Sequence, residues 1–144
     1  REQATYLKAL LPEKGVLGQR QPTEAEWEDI HFVYAIAKSI AGLDIGQTLV
    51  VKEKAVMAVE AIEGTDQAVR RGGMLGHGGV TVVKVSKPHQ DFRFDMPTVG
   101  VDTVESMIAA GAGALAMDAG KTLLLQREEV IAKADAAGLA LVAV

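Results

Sequence analysis

The densest run of chemically capable side chains lies between Lys84 and Asp95. Lys84, Lys87, His89, Gln90, Asp91, Arg93 and Asp95 fall within twelve residues, and Pro88 and Pro97 exclude regular strand pairing around them. The cations suit phosphate oxygens, which lysine meets as a point charge and arginine as a planar fork. The aspartates suit a divalent cation or the positioning of a water. A second acidic group, Glu60, Glu63 and Asp66, falls within seven residues and offers the carboxylate oxygens that hard cations take. Both groups admit a plainer reading. The first is also what a solvated loop with local ion pairs looks like. In the second, Thr65 caps a short helix carrying Gln67 to Arg71, with Asp66 favoured in the first turn by the helix dipole.

Other chemistry is absent. There is no serine or cysteine nucleophile pattern, and three scattered histidines make no zinc motif. Without cysteine the chain has neither disulfides nor thiolate metal sites, which is compatible with a reducing cytoplasm. Residues 72–79, GGMLGHGG, hold five glycines but no Walker or dinucleotide fingerprint, and read as a mobile linker with His77 unassigned.

The elements that must carry these groups alternate along the chain. Val80 to Val85 is an apolar, β-branched strand, and a polar segment leaving the end of such a strand is how α/β proteins build sites. On it Val82, Lys84 and Ser86 share one face, and Val83, Val85 and Lys87 the other. Lys84 is then an edge-strand gatekeeper or a functional charge. Thr48 to Val51 and Ala55 to Ile62 read as strands around a polar Lys52-Glu53-Lys54 hairpin turn. Thr23 and Glu26 form a capping box before Trp27, Ile30, Val33, Tyr34, Ala37 and Ile40, an amphipathic helix stopped at Gly42. Trp27 and Tyr34 belong to its core face, and His31 beside them reads as structural.

Further on, Asp102 and Glu105 open a helix with Val104, Met107 and Ile108 inward, ending at Gly111. Ala114 to Met117 and Thr122 to Leu125 read as strands joined by a turn at Asp118 to Lys121. Arg127 to Ala137 is a helix ended by Gly138, and Leu139 to Val144 a last buried strand. Strands and helices alternating at these lengths predict an α/β domain, a mixed β-sheet flanked by helices, over residues 22–144. Residues 1–21, with an apolar patch at Tyr6, Leu7, Leu10 and Leu11, read as an N-terminal arm or linker.

Composition agrees with one domain. A chain of 144 residues buries roughly 68–70% of its unfolded surface. With 49% hydrophobic but only 4% aromatic residues, its core must be Ala, Val, Leu and Ile. A net charge of −4 argues against a general nucleic-acid binder. No apolar run reaches the ~20 residues of a membrane-spanning helix. A start at Arg1 rather than Met reads as a fragment of a longer protein or as a disordered start.

Three stretches carry a resemblance together: residues 43–73, LDIGQTLVVKEKAVMAVEAIEGTDQAVRRGG; residues 78–105, GGVTVVKVSKPHQDFRFDMPTVGVDTVE; and residues 125–130, LQREEV. They resemble the C-terminal domain of the LpxI family, the UDP-2,3-diacylglucosamine pyrophosphatases of lipid A biosynthesis, from about Leu11 onward. The resemblance implies hydrolysis of UDP-2,3-diacylglucosamine to UMP and 2,3-diacylglucosamine 1-phosphate with Mg2+ or Mn2+ as cofactor. It implies Asp95 and Asp91 as catalytic and metal-binding, with Glu63 and Asp66 as further metal candidates. It assigns Lys84, Lys87, Gln90, Arg93 and Thr65 to substrate. The partners implied are the lipid nucleotide substrate, an N-terminal Rossmann-like domain missing from this stretch, a peripheral contact with the inner membrane from the cytoplasm, and a second copy as a homodimer; nucleic acid is not among them. Gln126 departs from the Asp expected there, which touches at most a helix cap. The competing reading is a non-catalytic oligomerisation or nucleotide-sugar-binding domain.

Overall fold

The computed structural model describes residues 11–88 and 96–144. Eight strands and four helices follow the order β1 (Gly15–Val16), α1 (Glu24–Gly42), β2 (Thr48–Lys52), β3 (Ala55–Val59), α2 (Thr65–Leu75), β4 (Thr81–Lys84), β5 (Thr98–Val99), α3 (Val101–Ala109), β6 (Ala114–Met117), β7 (Leu123–Leu124), α4 (Arg127–Ala137) and β8 (Ala140–Ala143). Six strands form one mixed sheet in the order β1-β8-β6-β4-β2-β3, in which β4, β6 and β8 run parallel. β2 pairs antiparallel with both β3 and β4, and β1 antiparallel with β8. This is the α/β domain with a mixed sheet that the alternation predicts.

Strand alternation divides the core in two. The cross-strand row Val50, Val82, Leu115 and Leu141 faces α2, α3 and α4, where Val69, Val104, Met107, Val130 and Ala134 cover it. The next row, Leu49, Val83, Ala116 and Val142, faces α1 and its Ile30, Val33, Ala37 and Ala41. Strands covered on both faces are apolar where both covers reach, which is why β6 and β8 are Ala, Leu, Met and Val throughout and β4 has Val82 and Val83 at its centre, with the polar Thr81 and Lys84 at its ends. The α1 start carries both halves of the capping box: Thr23 Oγ1 accepts from the Glu26 N–H at 3.1 Å and Glu26 Oε1 from the Thr23 N–H at 2.9 Å. The β2–β3 turn puts Glu53 and Lys54 at positive φ, and the buried Asp29 of α1 accepts both their N–H groups, offsetting that strain.

Several sequence expectations change. Residues 72–75 are not a linker but the last turn of α2, whose glycines let the helix lie directly on the sheet: a Cβ at Gly72 would sit 2.5 Å from Val50 Cβ. Thr65 is the first helical residue and Gly64 the cap, with no side-chain capping bond. β4 lies inside the sheet with a neighbour on each side, so Lys84 guards no edge. Ile108 faces outward at 39% exposure, because α3 turns only Val104 and Met107 inward. The second of the two late strands shrinks to β7, which pairs with β5 in a separate two-stranded sheet instead of with β6. Gly15–Val16, within the segment read as an arm, forms the edge strand β1.

Gly72→Ala tests the corrected reading of the glycine run. The added methyl overpacks against Val50, so the urea midpoint should fall by the equivalent of about 1–3 kcal/mol. A mobile linker would accept the same change neutrally or gain stability.

Candidate functional site

Two polar clusters stand at the C-terminal ends of the parallel strands, one on each face of the sheet. Strand ends of this kind are where open α/β sheets place ligands.

The first is organised by Lys84, the last residue of β4. Its side chain is partly buried on the three-helix face, and Nζ donates to the Thr98 carbonyl at 2.9 Å. It lines a pocket of about 180 Å³ with Thr65 and Asp66 from the start of α2 and with Asp102, Thr103, Ser106 and Met107 from α3. Burial pulls the Lys84 ammonium below the ordinary lysine range, and the nearby Glu60 charge opposes that shift. Across the pocket the Ser106 hydroxyl donates to Asp66 Oδ1 at 2.5 Å, while Arg70 pairs with Oδ2 at 3.1 Å. Two helices therefore begin around one desolvated lysine, and unsatisfied N–H groups at helix starts favour negative charge.

The second cluster centres on Asp118, which is 2% exposed just after β6. Its Oδ2 accepts from the Ser86 N–H at 2.7 Å, the Ser86 hydroxyl at 3.0 Å and Lys38 Nζ at 2.9 Å; Oδ1 accepts from the Tyr34 hydroxyl. Lys38 also donates to the Ser86 carbonyl at 2.9 Å. Burial works to raise the Asp118 carboxyl, but the bonds from Tyr34, Lys38 and the Ser86 N–H prevail and hold it below the usual range. Tyr34 is pushed well above the ordinary phenol value by burial and by donating to this carboxylate. Ser86 has left the strand alternation, since β4 ends at Lys84, and turns to the α1 face.

The sequence candidates separate accordingly. Lys84, Thr65 and Asp66 meet at one pocket. Lys87 lies away from it, in an ion pair with Asp44 at 2.7 Å that holds the Asp44 carboxyl below its ordinary value. Glu63 is turned to Arg71 at 2.6 Å and accepts from the Ala61 N–H. Asp91, Asp95, Gln90 and Arg93 lie outside the described residues. Sequence reasoning missed Asp102 and Ser106 as pocket walls, and it placed Asp118 in a plain turn. The position of Asp118 directly after a buried strand was the available signal. His31 stacks on Trp27 at 5.6 Å and is exposed. A larger hollow of about 680 Å³, lined by Trp27, Ile30, His31, Tyr34, Ala143 and Val144 among others, is mostly apolar and brings no comparable set of charges together.

Asp118→Asn should lower stability at pH 7 by about 3 kcal/mol, the scale of a broken buried pair. A carboxyl held below its unfolded value stabilises above that value, and the contribution is lost as pH falls through the folded value. Acid unfolding followed by circular dichroism should therefore be flatter below pH ~4 in the variant.

The family model for the LpxI C-terminal domain matches residues 13–142. The UDP-2,3-diacylglucosamine pyrophosphatase LpxI of Caulobacter vibrioides is 41% identical over 135 residues, covering 88% of this chain and 48% of that protein. The bifunctional purine biosynthesis protein PurH of an Anaeromyxobacter species is 32% identical over 135 residues, covering 89% of this chain and 22% of that protein. The chain thus spans about half the LpxI relative, and less of the other. Among solved structures, Acinetobacter baumannii RibD, form 2, aligns with a TM-score of 0.44 and 14% identity over 83% of this chain and 35% of that one, a likeness too slight to carry an argument.

Proposed function

The chain belongs to the LpxI C-terminal domain family, and on that premise we propose that it forms the C-terminal part of an enzyme hydrolysing the diphosphate of UDP-2,3-diacylglucosamine. Water adds to one phosphorus, the bridging P–O bond breaks, and the bridging oxygen leaves with the other phosphate. UMP and 2,3-diacylglucosamine 1-phosphate result. The observation that supports this reading best is Lys84: a desolvated ammonium at a strand end, with one acceptor among the described residues and helix starts around it. An ammonium in that setting gains more from a phosphate oxygen than a solvated one does.

On this reading Lys84 neutralises phosphate charge, with Lys87, Gln90 and Arg93 contributing from the segment that follows. Thr65 contacts substrate at the opposite wall. Asp95 and Asp91 carry the reaction by positioning or deprotonating the water. A lipid substrate implies a peripheral contact with the membrane from the cytoplasmic side; among the described residues no helix is long and apolar enough to cross it. The other half of the cleft belongs to an N-terminal domain.

Mg2+ or Mn2+ is the expected cofactor, supplying charge neutralisation at the diphosphate. Among the described residues no group of three carboxylate or imidazole side chains is placed to hold a metal. Asp66 stands in the pocket and remains a ligand candidate, whereas the Glu63 carboxylate is taken up by Arg71 and a backbone N–H. The described residues alone therefore supply only part of a metal site.

UMP release from UDP-2,3-diacylglucosamine tests the proposal, using this chain alone and joined to the N-terminal domain of the LpxI relative. Turnover is expected in the joined protein, with loss on chelation and recovery with Mg2+ or Mn2+. Lys84→Met should lose about 100-fold or more in kcat/KM. Asp95→Asn should lose turnover with an unchanged melting temperature. No UMP from the joined protein would overturn the hydrolase reading, and retained nucleotide-sugar binding would then favour a binding domain.

A further inference from the structure

The strand register lays a polar half-row across the sheet beside the start of α2. Thr48 stands opposite Lys84, and the Glu60 N–H donates to the Thr48 carbonyl at 2.9 Å just beyond β3. Directly opposed residues on neighbouring strands share a face. Glu60, Thr48 and Lys84 therefore line up on the three-helix side, and beyond Lys84 the same row continues as buried Met117 and Ala143.

Glu60 is tied in place at one end of this row. Its Oε1 accepts from the Gln47 N–H and from the Thr65 hydroxyl, each at 3.3 Å. The Thr65 hydroxyl also lies 3.4 Å from that of the fully buried Thr48. Thr65 has one hydroxyl proton and gives it to Glu60, so Thr48 is the donor in the second contact. The chain of donors runs Thr48 to Thr65 to Glu60 and stops on a carboxylate. Lys84 Nζ makes its own contact with the Thr98 carbonyl, and among the described residues that uses one of its three donors.

We propose that Glu60 is a positioning residue for the Lys84 subsite: a fixed negative charge at the far end of the polar row that keeps the ammonium charged while leaving its donors for an incoming phosphate. The inference rests on the reading above that Lys84 meets the diphosphate. A carboxylate bonded directly to Lys84 would hold the charge but occupy the donors; one placed along the row does the first without the second. Among the described residues three acids face Lys84 from the elements packed on it, Glu60 beyond β3, Asp66 on α2 and Asp102 on α3. Asp66 is committed to Ser106 and Arg70, and both it and Asp102 are exposed, where water and salt weaken their fields. Glu60 is half-buried and immobilised by two donors, so its field reaches Lys84 with less screening. The opposing influences on Lys84, burial against the Glu60 charge, agree with this geometry.

The test is calorimetric titration of inorganic pyrophosphate into the protein from neutral pH upward. Wild type, Glu60→Gln and Lys84→Met are compared, with melting curves as folding controls. The ionisation of pyrophosphate is common to all three, so differences belong to the protein. Binding should weaken as Lys84 loses its proton. In Glu60→Gln that loss should come at lower pH, read as about tenfold weaker binding than wild type on the falling limb. At the neutral end affinity should be equal or tighter, because a repelling charge is gone. A merely structural role would weaken binding uniformly across pH, and that result, or an unshifted limb, overturns the proposal while leaving the phosphate reading intact. Wild-type affinity in Lys84→Met, or no binding by wild type, overturns the phosphate reading and this inference with it. Should Glu60→Gln melt early, Thr65→Val frees the same carboxylate and should shift the limb in the same direction by less, on top of a pH-independent loss from the missing Thr65 contact; no shift of the limb in that variant overturns the proposal.

Discussion

A lysine that ends a strand paired on both sides, under helices on both faces, has no route to bulk water along the sheet. Lys84 is in that position, between β2 and β6. Its alkyl stem follows the row that holds Val82 one step back, and its ammonium emerges where the helix cover thins at the starts of α2 and α3. Desolvating an ammonium costs free energy unless something negative is nearby. The pocket answers with a carbonyl, a fixed carboxylate along the row and two exposed acids. Much of the polar architecture on this face can be derived from that one constraint.

The opposite face shows the alternative outcome. Lys38 and Asp118 form a pair in which the carboxylate is saturated by four donors, and Lys38 also bonds the Ser86 carbonyl. A buried charge pair this fully satisfied has little left for a ligand, and breaking it is costly. Its work is mechanical: it ties α1 to the end of β6 and to the backbone at Ser86, where the chain leaves β4. The two lysines stand near the same strand ends and differ in their bonding. Among the described residues one is fully partnered and anchors the fold, whereas the other bonds a single carbonyl and is suited to chemistry.

The α/β class with its mixed sheet and the long elements were legible in the sequence because burial writes itself as pattern. The β-branched run at Val80 to Val85, the capping box at Thr23 and Glu26, and the Arg127 to Ala137 helix ended by Gly138 at φ 71° all stand where the pattern puts them. The glycine run was misread because composition alone does not separate a flexible glycine from one required by close packing; only the proximity of Val50 to Gly72 does. Thr122 to Leu125 was read too long because local apolar character does not reveal a partner, and among the described residues β7 pairs with the two-residue β5 alone. At the site, Lys84, Thr65 and Asp66 were visible as types within motifs. Glu60 was visible as an acid and Asp118 as a turn residue, but their partners, thirteen residues away at Gln47 and thirty-two at Ser86, belong to the fold.

Those glycines bear on the chemistry through the helices they allow to approach. At Gly73 a Cβ would lie 2.3 Å from the Ala110 carbonyl, so the end of α2 and the end of α3 are in backbone contact. Near its start α2 is joined to α3 again, by the Ser106 hydroxyl on Asp66. Two helices held at two points along their length fix the distance between their first turns, and with it the width of the pocket over Lys84. A bulkier residue at Gly73 would lever the helices apart, and one at Gly72 would lift α2 from Val50; either would carry Thr65 away from Glu60, breaking the donor chain that holds the counter-charge. The sequence segment with the least chemical character therefore sets the geometry of the one with the most, which is why the pocket is preformed on this side before any ligand arrives.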